Sequence, residues 1–218
     1  MRRVSWLLGL MLVLAACHRP APEVGEGAWT VQWWTDFREP GPWQVNGGPG
    51  AIASYTPDGY RLAGVLPQTE IWSLHPTAYD QVRLAAQLQA TPAPQAGGRY
   101  GLLCGFQGPQ QYLVFALSTD GGYAILARTP QGWQNLRGTW QAFEPHAAVH
   151  PAPQSNRLMV ECRDTGLRFW VNGQEVARVA YPAAKGQVGL WMTTPAAFGT
   201  AAWSVTARDL TLWTWQRP

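Results

Sequence analysis

The sequence predicts an all-β chain whose antiparallel strands form a sandwich or a barrel. Residues 82–89 alternate in polarity, with Val82 and Leu84 on an apolar side and Arg83 and Gln87 on a polar side. This is the period-two pattern of a half-buried strand. Short runs of the same kind recur between Gly, Pro, Asn and Asp residues, and no segment shows the 3.6-residue period of an amphipathic helix. Many short strands separated by turns are typical of antiparallel sandwiches and barrels.

The other predicted strands follow one another along the chain. In order, they are residues 55–62, 70–74, 100–107, 111–118, 123–128, 156–163, 166–171, 174–179, 186–193 and 203–213. Longer loops are predicted at residues 91–98 and 144–154, where proline recurs. Because we see no internal repeat and no second domain, a single domain is predicted over residues 29–218.

Two tight turns fix the register of three consecutive strands. Asn172-Gly173 is typical of a type I′ turn, because both central positions of that turn need a positive φ. A two-residue loop at Asp164-Thr165 places apolar residues opposite one another and Glu161 opposite Arg168. The apolar pairs are Cys162 with Leu167, Val160 with Phe169 and Leu158 with Val171. We therefore expect Glu161 to form a surface ion pair with Arg168.

The N-terminal residues predict export and anchoring. Arg2 and Arg3 precede an apolar run and the sequence Leu14-Ala15-Ala16-Cys17, which is the pattern of a signal peptide over residues 1–16. The sequence Leu14-Ala15-Ala16-Cys17 resembles the bacterial lipobox. This resemblance implies that Cys17 is acylated, with palmitate or a similar chain, and anchors the mature protein to a membrane. The alternative is an ordinary secreted protein with an accidental cysteine.

The segment after Cys17 predicts a flexible tether over residues 17–28, because proline, glycine and charge occur there without periodicity. The expected location is the bacterial cell envelope, on the extracytoplasmic side. Loss of Arg2 and Arg3 with the signal peptide lowers the net charge of +3 to +1. No cluster of Lys and Arg offers the basic stripe that binds a phosphate backbone, so we expect no nucleic-acid partner.

An ordered series of short motifs resembles a known superfamily. The motifs are PDGYRL at residues 57–62, YGLLC at 100–104, YLVFALSTDGGY at 112–123, NRLMVEC at 156–162, VNG at 171–173 and GQVGL at 186–190. Together they are similar to the concanavalin A-like lectin/glucanase superfamily, in its laminin-G-like bacterial modules, over residues 29–213. The resemblance implies a jelly roll of two antiparallel sheets. It implies a lectin, a glycosidase or an adhesion or assembly module, since fold alone does not decide function.

Cys104 and Cys162 are the two cysteines that remain when Cys17 is set aside. Both lie on the apolar side of predicted strands, where they either form a core disulfide or stay as buried thiols. Similar modules often carry cysteines at these two places, so the resemblance favours a Cys104–Cys162 disulfide. Neither residue lies in the basic or helix-start setting that activates a nucleophilic thiol.

Catalytic and metal-binding motifs are not found in the sequence. Glucanases of the superfamily carry alternating carboxylates on one strand, whereas the acids here are scattered, so we predict no enzymatic activity and keep a weak glycoside hydrolase as an alternative. His146 and His150 have i, i+4 spacing, but the prolines around them disfavour a helix. We predict no cofactor and no metal site. Ca²⁺ at Asp120 is left open, because some laminin-G-like modules hold Ca²⁺ through loop carboxylates.

Tryptophan is abundant, with 13 residues, and several side chains are predicted to point away from the core. Trp33 and Trp34 are adjacent, so one of them points outward from a strand. The candidate ligand-binding residues are Trp34, Trp72, Trp133 and Trp170. Residues 112–117 are apolar on both faces, so loops, a ligand or a partner protein must cover the second face.

The sequence therefore favours a non-enzymatic, membrane-anchored envelope lipoprotein. It would bind a glycan or a protein partner through an aromatic-lined face of the sandwich. The alternative is an accessory or structural subunit of an envelope membrane protein complex.

Overall fold

The computed structural model describes residues 27–47, 49–92, 97–139, 143–196 and 202–217. These residues form strands joined by turns, and none of them belongs to a helix long and apolar enough to cross a membrane. The predicted signal peptide, Cys17 and tether residues 18–26 lie outside the described residues.

Eight strands of the described part of the chain form one antiparallel sheet, here called sheet I. They are β1 (Ala28–Thr35), β3 (Ala51–Thr56), β4 (Gly59–Gly64), β6 (Val82–Ala90), β12 (Asn156–Arg163), β13 (Gly166–Val171), β14 (Gln174–Val179) and β16 (Trp203–Gln216). The order is β14-β13-β12-β6-β16-β4-β3. The first part of β16 pairs with β4, its second part pairs with β1, and β6 lies along its other side.

Eight further strands of the described residues form the second sheet, sheet II. They are β2 (Gln44–Gly47), β5 (Glu70–Tyr79), β7 (Arg99–Gly108), β8 (Gln111–Ser118), β9 (Gly122–Thr129), β10 (Gly132–Arg137), β11 (Glu144–Pro145) and β15 (Gly186–Thr193). The order is β10-β9-β8-β7-β15-β5-β2, and β11 pairs with β9. All the pairings are antiparallel, so the predicted all-β sandwich is confirmed.

The core lies between the inner faces of the two sheets. Leu84 of β6 and Phe169 of β13 face it from sheet I, and Phe115 and Ile125 face it from sheet II, all at most 1% exposed. The rings of Phe115 and Phe169 meet across the interface with centroids 5.6 Å apart. Burying a side chain of this size stabilises the fold by about 1.5–3 kcal/mol.

A disulfide joins the two sheets through this core. Cys104 of β7 and Cys162 of β12 are bonded, with their Cα atoms 6.7 Å apart. Both side chains are buried, at 0% and 2% exposure. The predicted Cys104–Cys162 bond is therefore present, and it links strands that are 58 positions apart in the chain.

The two predicted hairpins are confirmed in register. Leu158, Val160 and Cys162 of β12 pair with Val171, Phe169 and Leu167 of β13. At the next turn, Asn172 has a φ of 49° and Gly173 a φ of 84°, as a type I′ turn requires.

Residues 55–62 were predicted as one strand, and this is wrong. Pro57 and Asp58 form a turn between β3 and β4, so that Tyr55 pairs with Tyr60 across a hairpin. Gly59 has a φ of 124°, and a Cβ there would lie 2.3 Å from the carbonyl oxygen of Ala207. The turn therefore requires glycine.

The structure also contains strands that the sequence did not predict. They are β1, β2, β10 and the two-residue β11, which lies in the predicted loop 144–154. The burial of β1 and β10 does not alternate regularly between the two faces. Because β1 and β10 lie at or near sheet edges, partly solvated on both sides, the period-two signal is weak there.

Glu161 forms the predicted ion pair with Arg168. The pair was predicted at the surface, whereas Glu161 is buried, with 3% exposure. Its Oε2 lies 3.8 Å from Nη1 of Arg168. Its Oε1 accepts hydrogen bonds from two nitrogens of Arg83, from Nε at 2.9 Å. Arg83 lies on β6, the neighbour of β12 on the other side. The prediction of a surface pair is wrong because Glu161 lies between two arginines, one on each flanking strand.

Candidate functional site

The outer face of sheet II, the side away from the core, has a floor of small residues with large rings around it. Gly101 of β7, Ala116 of β8 and Ala124 of β9 lie side by side in register. On the other side of Gly101, Trp191 of β15 and Trp72 of β5 continue the same row. Small side chains in the centre leave room for rings from the surrounding strands to lie over them.

Five rings on this face contact one another and are here called the aromatic cluster. They are Trp72, Phe106, Tyr112, Trp133 and Trp191. Ring centroids are 5.9 Å apart between Trp72 and Tyr112, 5.8 Å between Tyr112 and Trp133, and 6.2 Å between Trp133 and Trp191. Tyr112 and Trp191 are buried, whereas Trp72, Phe106 and Trp133 are partly exposed.

The carboxylate of Glu70 is hydrogen-bonded to two rings of the cluster. Its Oε1 accepts hydrogen bonds from the hydroxyl of Tyr112 at 2.5 Å and from Nε1 of Trp191 at 2.6 Å. Glu70 lies on β5 and Tyr112 on β8, and two strands separate them in the sheet. Contact across that separation requires sheet II to curve around its own outer face, so this face is concave.

The tyrosine is held in its protonated form. Burial raises the pKa of Tyr112, and the nearby charge of Glu70 raises it further. The hydroxyl therefore remains a donor to Glu70 throughout the physiological pH range. The Glu70–Tyr112 bond fixes one ring of the floor in place.

Two polar groups of this face have no hydrogen-bond partner among the described residues. They are Nε1 of Trp72 and Nε of Arg128, and both atoms are buried. Arg128 follows the same outer side as Tyr112 and Trp133, its partners in register, and its guanidinium lies 5.5 Å from the centre of the Trp133 ring. An unpaired buried donor costs about 1–3 kcal/mol. The side chain of Arg128 also lines a cavity beside Tyr112.

Two cavities flank the cluster. One, of about 440 Å³, is lined by Glu70, Arg99 and Thr193 among others. The other, of about 400 Å³, is lined by Tyr112 and Arg128 together with loop residues. Cavities of this volume match those that hold small ligands, about 300–1,000 Å³. Burial lowers the pKa of Arg99, whose guanidinium lies 5.4 Å from the centre of the Phe143 ring.

Comparison with known proteins shows similarity of structure and not of sequence. No family model matches the chain, and no curated protein matches it. A protein of unknown function with a galectin-like fold from Bacillus subtilis has a TM-score of 0.59 and 15% identity, covering 89% of this chain and 99% of its own. A carbohydrate-binding module from Bacillus subtilis has a TM-score of 0.59 and 10% identity, covering 78% and 94%. A β-glucanase from Bacillus licheniformis has a TM-score of 0.55 and 14% identity, covering 88% and 99%.

The chain is a jelly-roll sandwich. Its neighbours agree with the concanavalin A-like fold that the sequence motifs imply. At identities of 15% or less, the similarity is one of fold. The function of this jelly roll has to be argued from its own residues.

The jelly roll distributes the four predicted tryptophans over two opposite faces. Trp72 and Trp133 both belong to the aromatic cluster and both contact Tyr112. Trp170 lies on the outer face of sheet I, where Arg168 stacks on it at 4.4 Å. Trp34 lies on β1 of the same sheet and is 57% exposed. The four residues therefore do not line one surface.

The second apolar face of residues 112–117 is covered by side chains of the same domain, those of the aromatic cluster. Val114 and Ala116 are fully buried and pack within the aromatic cluster. Phe106, Tyr112 and Trp191 of the cluster were not predicted as site residues, and neither was Glu70, which accepts hydrogen bonds from two of its rings. The alternation in 186–193 already separates Trp191 from its core-facing neighbours Leu190 and Met192, and this signal identifies it as outward.

Other candidates for chemistry are engaged elsewhere. Asp120 accepts a hydrogen bond from Ser118 within the β8–β9 turn. His146 and His150 make separate loop contacts, with the backbone N–H of Ala148 and with the carbonyl of Ser155. In the part of the chain that the structure describes, no three His, Cys, Asp or Glu residues cluster as metal ligands do.

Proposed function

We propose that this protein is a non-catalytic, lipid-anchored carbohydrate-binding module of the bacterial cell envelope. The observation that carries this proposal is the concave outer face of sheet II, where Trp72, Phe106 and Trp133 are partly exposed beside a cavity lined by Tyr112 and Arg128. Sharing of the fold with a carbohydrate-binding module and a β-glucanase supports it.

The chemistry of the face suits a sugar. A pyranose or furanose ring presents C–H groups on its faces and hydroxyls around its edge. Tryptophan and tyrosine rings offer apolar surface to the faces, while the guanidinium of Arg128, which lines the cavity beside Tyr112, offers donors to hydroxyl oxygens. An apolar floor with a few placed polar groups is the usual composition of a ligand site.

The positions of the carboxylates support binding without hydrolysis. Hydrolysis of a glycosidic bond needs two carboxyl groups, about 5–5.5 Å apart in retaining enzymes and further apart in inverting ones. Glu70 supplies one on this face, and its Oε1 is already occupied by two donors. The prominent acids Glu144, Glu161 and Glu175 are paired with arginines away from the cluster.

Substitution of the exposed rings tests the site. We expect Trp72→Ala and Trp133→Ala each to weaken binding of a glycan identified on an array by about tenfold or more, because an aromatic anchor contributes more than 1 kcal/mol. Titration calorimetry measures the affinity. Trp170→Ala, which removes a partly exposed tryptophan from the opposite face, is the matched control and should bind as the parent does.

Three outcomes would overturn this proposal. One is an array without saturable binding, together with stoichiometric co-purification of an envelope protein, which favours a structural subunit. Another is loss of affinity in Trp170→Ala but not in Trp133→Ala. The third is release of reducing ends from the bound glycan, which is the signature of a hydrolase.

The anchor is tested on Cys17. We expect the full chain to incorporate labelled palmitate and to sediment with membranes, and we expect Cys17→Ser to lose the label, because acylation needs the thiol. Cys104→Ser is the matched control, since that residue is bonded in the core. A Cys17→Ser chain that keeps the label would show that the lipobox resemblance is accidental.

A further inference from the structure

The outer face of sheet I carries a strip of aromatic and aliphatic side chains beside the start of β1. Trp29 pairs with Trp215 of β16, and Val31 pairs with Trp213. Trp34 follows on the same strand. The inward positions on β16 are Leu210 and Leu212, both fully buried, so the alternating residues 211, 213 and 215 point outward. We call Trp29, Val31, Trp34, Trp213 and Trp215 the tryptophan strip.

The strip is accessible in the described structure. Val31 is 54% exposed and Trp34 57% exposed, the two largest values among the bulky apolar side chains. Trp29, Trp213 and Trp215 are half-buried. Isolated exposed apolar residues are ordinary, but a contiguous group of this kind marks a surface that contacts something apolar.

Arginines are interleaved with these rings. The guanidinium of Arg83 lies 4.6 Å from the centre of the Trp29 ring, and that of Arg163 lies 4.1 Å from the centre of the Trp215 ring. Tryptophan and arginine together are typical of the zone between lipid headgroups and acyl chains, where rings sit at the boundary and charges reach the headgroups.

The charge of this face favours an anionic surface. It carries Arg83, Arg157, Arg163, Arg168, Arg178 and Arg217 against the acids Glu161, Asp164 and Glu175. A cavity of about 290 Å³ on it is lined by Arg163, Arg168 and Arg178, and the buried Nε of Arg163 has no hydrogen-bond partner among the described residues. Anionic headgroups attract such a basic surface by about 1 kcal/mol per charge.

The tether leads to the strip, which favours the lipid surface as the binding partner of the strip. This step rests on the lipid anchor proposed above. Trp29 is twelve positions after Cys17, and an extended chain spans at most about 3.6 Å per residue. The acyl chains therefore lie within about 45 Å of the strip. Gly27, the first described residue, is packed against the ring of Trp215, so the tether arrives at the strip itself.

We infer that the tryptophan strip and its arginines rest on the anionic lipid surface of the membrane that holds the anchor. The anchor keeps the strip at a high effective concentration of lipid, so even weak docking is populated. Because sheet II lies on the opposite side of the sandwich, docking through sheet I presents the aromatic cluster away from the membrane. The protein is thereby oriented as well as tethered.

Vesicle binding by a chain that starts at residue 18 tests the inference independently of acylation. Such a chain lacks Cys17 and contains every residue that the structure describes, so both sheets and the disulfide are retained. The probes are vesicles of phosphatidylcholine alone and of phosphatidylcholine with phosphatidylglycerol. Flotation measures binding, and quenching of tryptophan fluorescence by brominated lipid measures contact of the strip with the bilayer.

We expect binding to the anionic vesicles, quenching by brominated lipid, and about tenfold weaker partitioning for Val31→Ser/Trp34→Ser. Val65→Ser/Leu66→Ser is the matched control, because it removes two apolar residues of similar exposure, 48% and 44%, from the β4–β5 connection. Glycan affinity, measured on the same variants, should stay unchanged and so separates this inference from the proposed function.

The inference is overturned if the parent chain fails to bind anionic vesicles, or if the strip variant and the control bind equally. It is also overturned if the strip variant loses a stoichiometric protein partner from detergent extracts while its vesicle binding is retained, since the strip would then be a protein interface.

Discussion

Replacing both Cys104 and Cys162 by alanine is expected to lower the free energy of unfolding by about 4 kcal/mol. The bond closes a loop of 58 positions between the two sheets, and without it the unfolded chain regains the conformations that the loop excludes. For a domain of this size the loss corresponds to a fall in Tm of about 8–16 °C. Urea denaturation, followed by circular dichroism, measures the difference.

The parent protein in dithiothreitol is the control for this double variant. It keeps both sulfur atoms in the core and breaks only the bond, so its difference from the alanine variant isolates the packing of the sulfurs. If the reduced parent unfolds at the same urea concentration as the oxidised parent, the bond does not stabilise the fold, and its role would be confined to the geometry of the core.

Glu161→Ala is expected to destabilise the protein by about 3 kcal/mol, at the lower end of the cost of breaking a buried ion pair. The carboxylate is 4% exposed and pairs with Arg83 and Arg168 from both flanking strands. Its removal leaves the side chain of Arg83, which is 27% exposed, without its main acceptor. The change in urea midpoint, with an unchanged slope, measures the loss.

Glu175→Ala is the matched control for Glu161. It also removes a glutamate that bridges two arginines, Arg168 and Arg178, but it does so at the surface, where water screens the pair. Hydrogen bonds from Arg178 and Arg168 hold the pKa of Glu175 below its ordinary value. Any stability it contributes is present above the unfolded pKa and disappears as the pH falls through the folded one. Equal losses of unfolding free energy in the two variants would show that burial does not increase the contribution of the Glu161 ion pairs to stability.

The elements that the sequence predicts well are those with local signals. Asn172-Gly173 needs a positive φ at two adjacent positions, and the alternation around Asp164-Thr165 permits one register. Both signals lie within a few residues and were confirmed. Residues 55–62 were predicted wrongly although a local signal was present, because Pro57-Asp58-Gly59 is itself a turn sequence and joins β3 to β4.

The site was less predictable because its contacts cross strands that are not neighbours. Alternation identifies a side chain as outward, as for Trp72, Trp133 and Trp170, but it does not say to which sheet's outer face the side chain belongs. The bond between Tyr112 and Glu70 joins residues 42 positions apart and depends on the curvature of sheet II. Curvature arises from the whole sheet, so no local pattern encodes it.

The central position of β16 has a consequence for the order of assembly. This strand pairs with β1 and with β4 of the β3–β4 hairpin along one side, and with β6 along the other. Sheet I therefore stays open until residues 203–216, its last strand along the chain, are in place. A polypeptide that emerges N-terminus first is thus kept from completing sheet I until residues 203–216 have emerged.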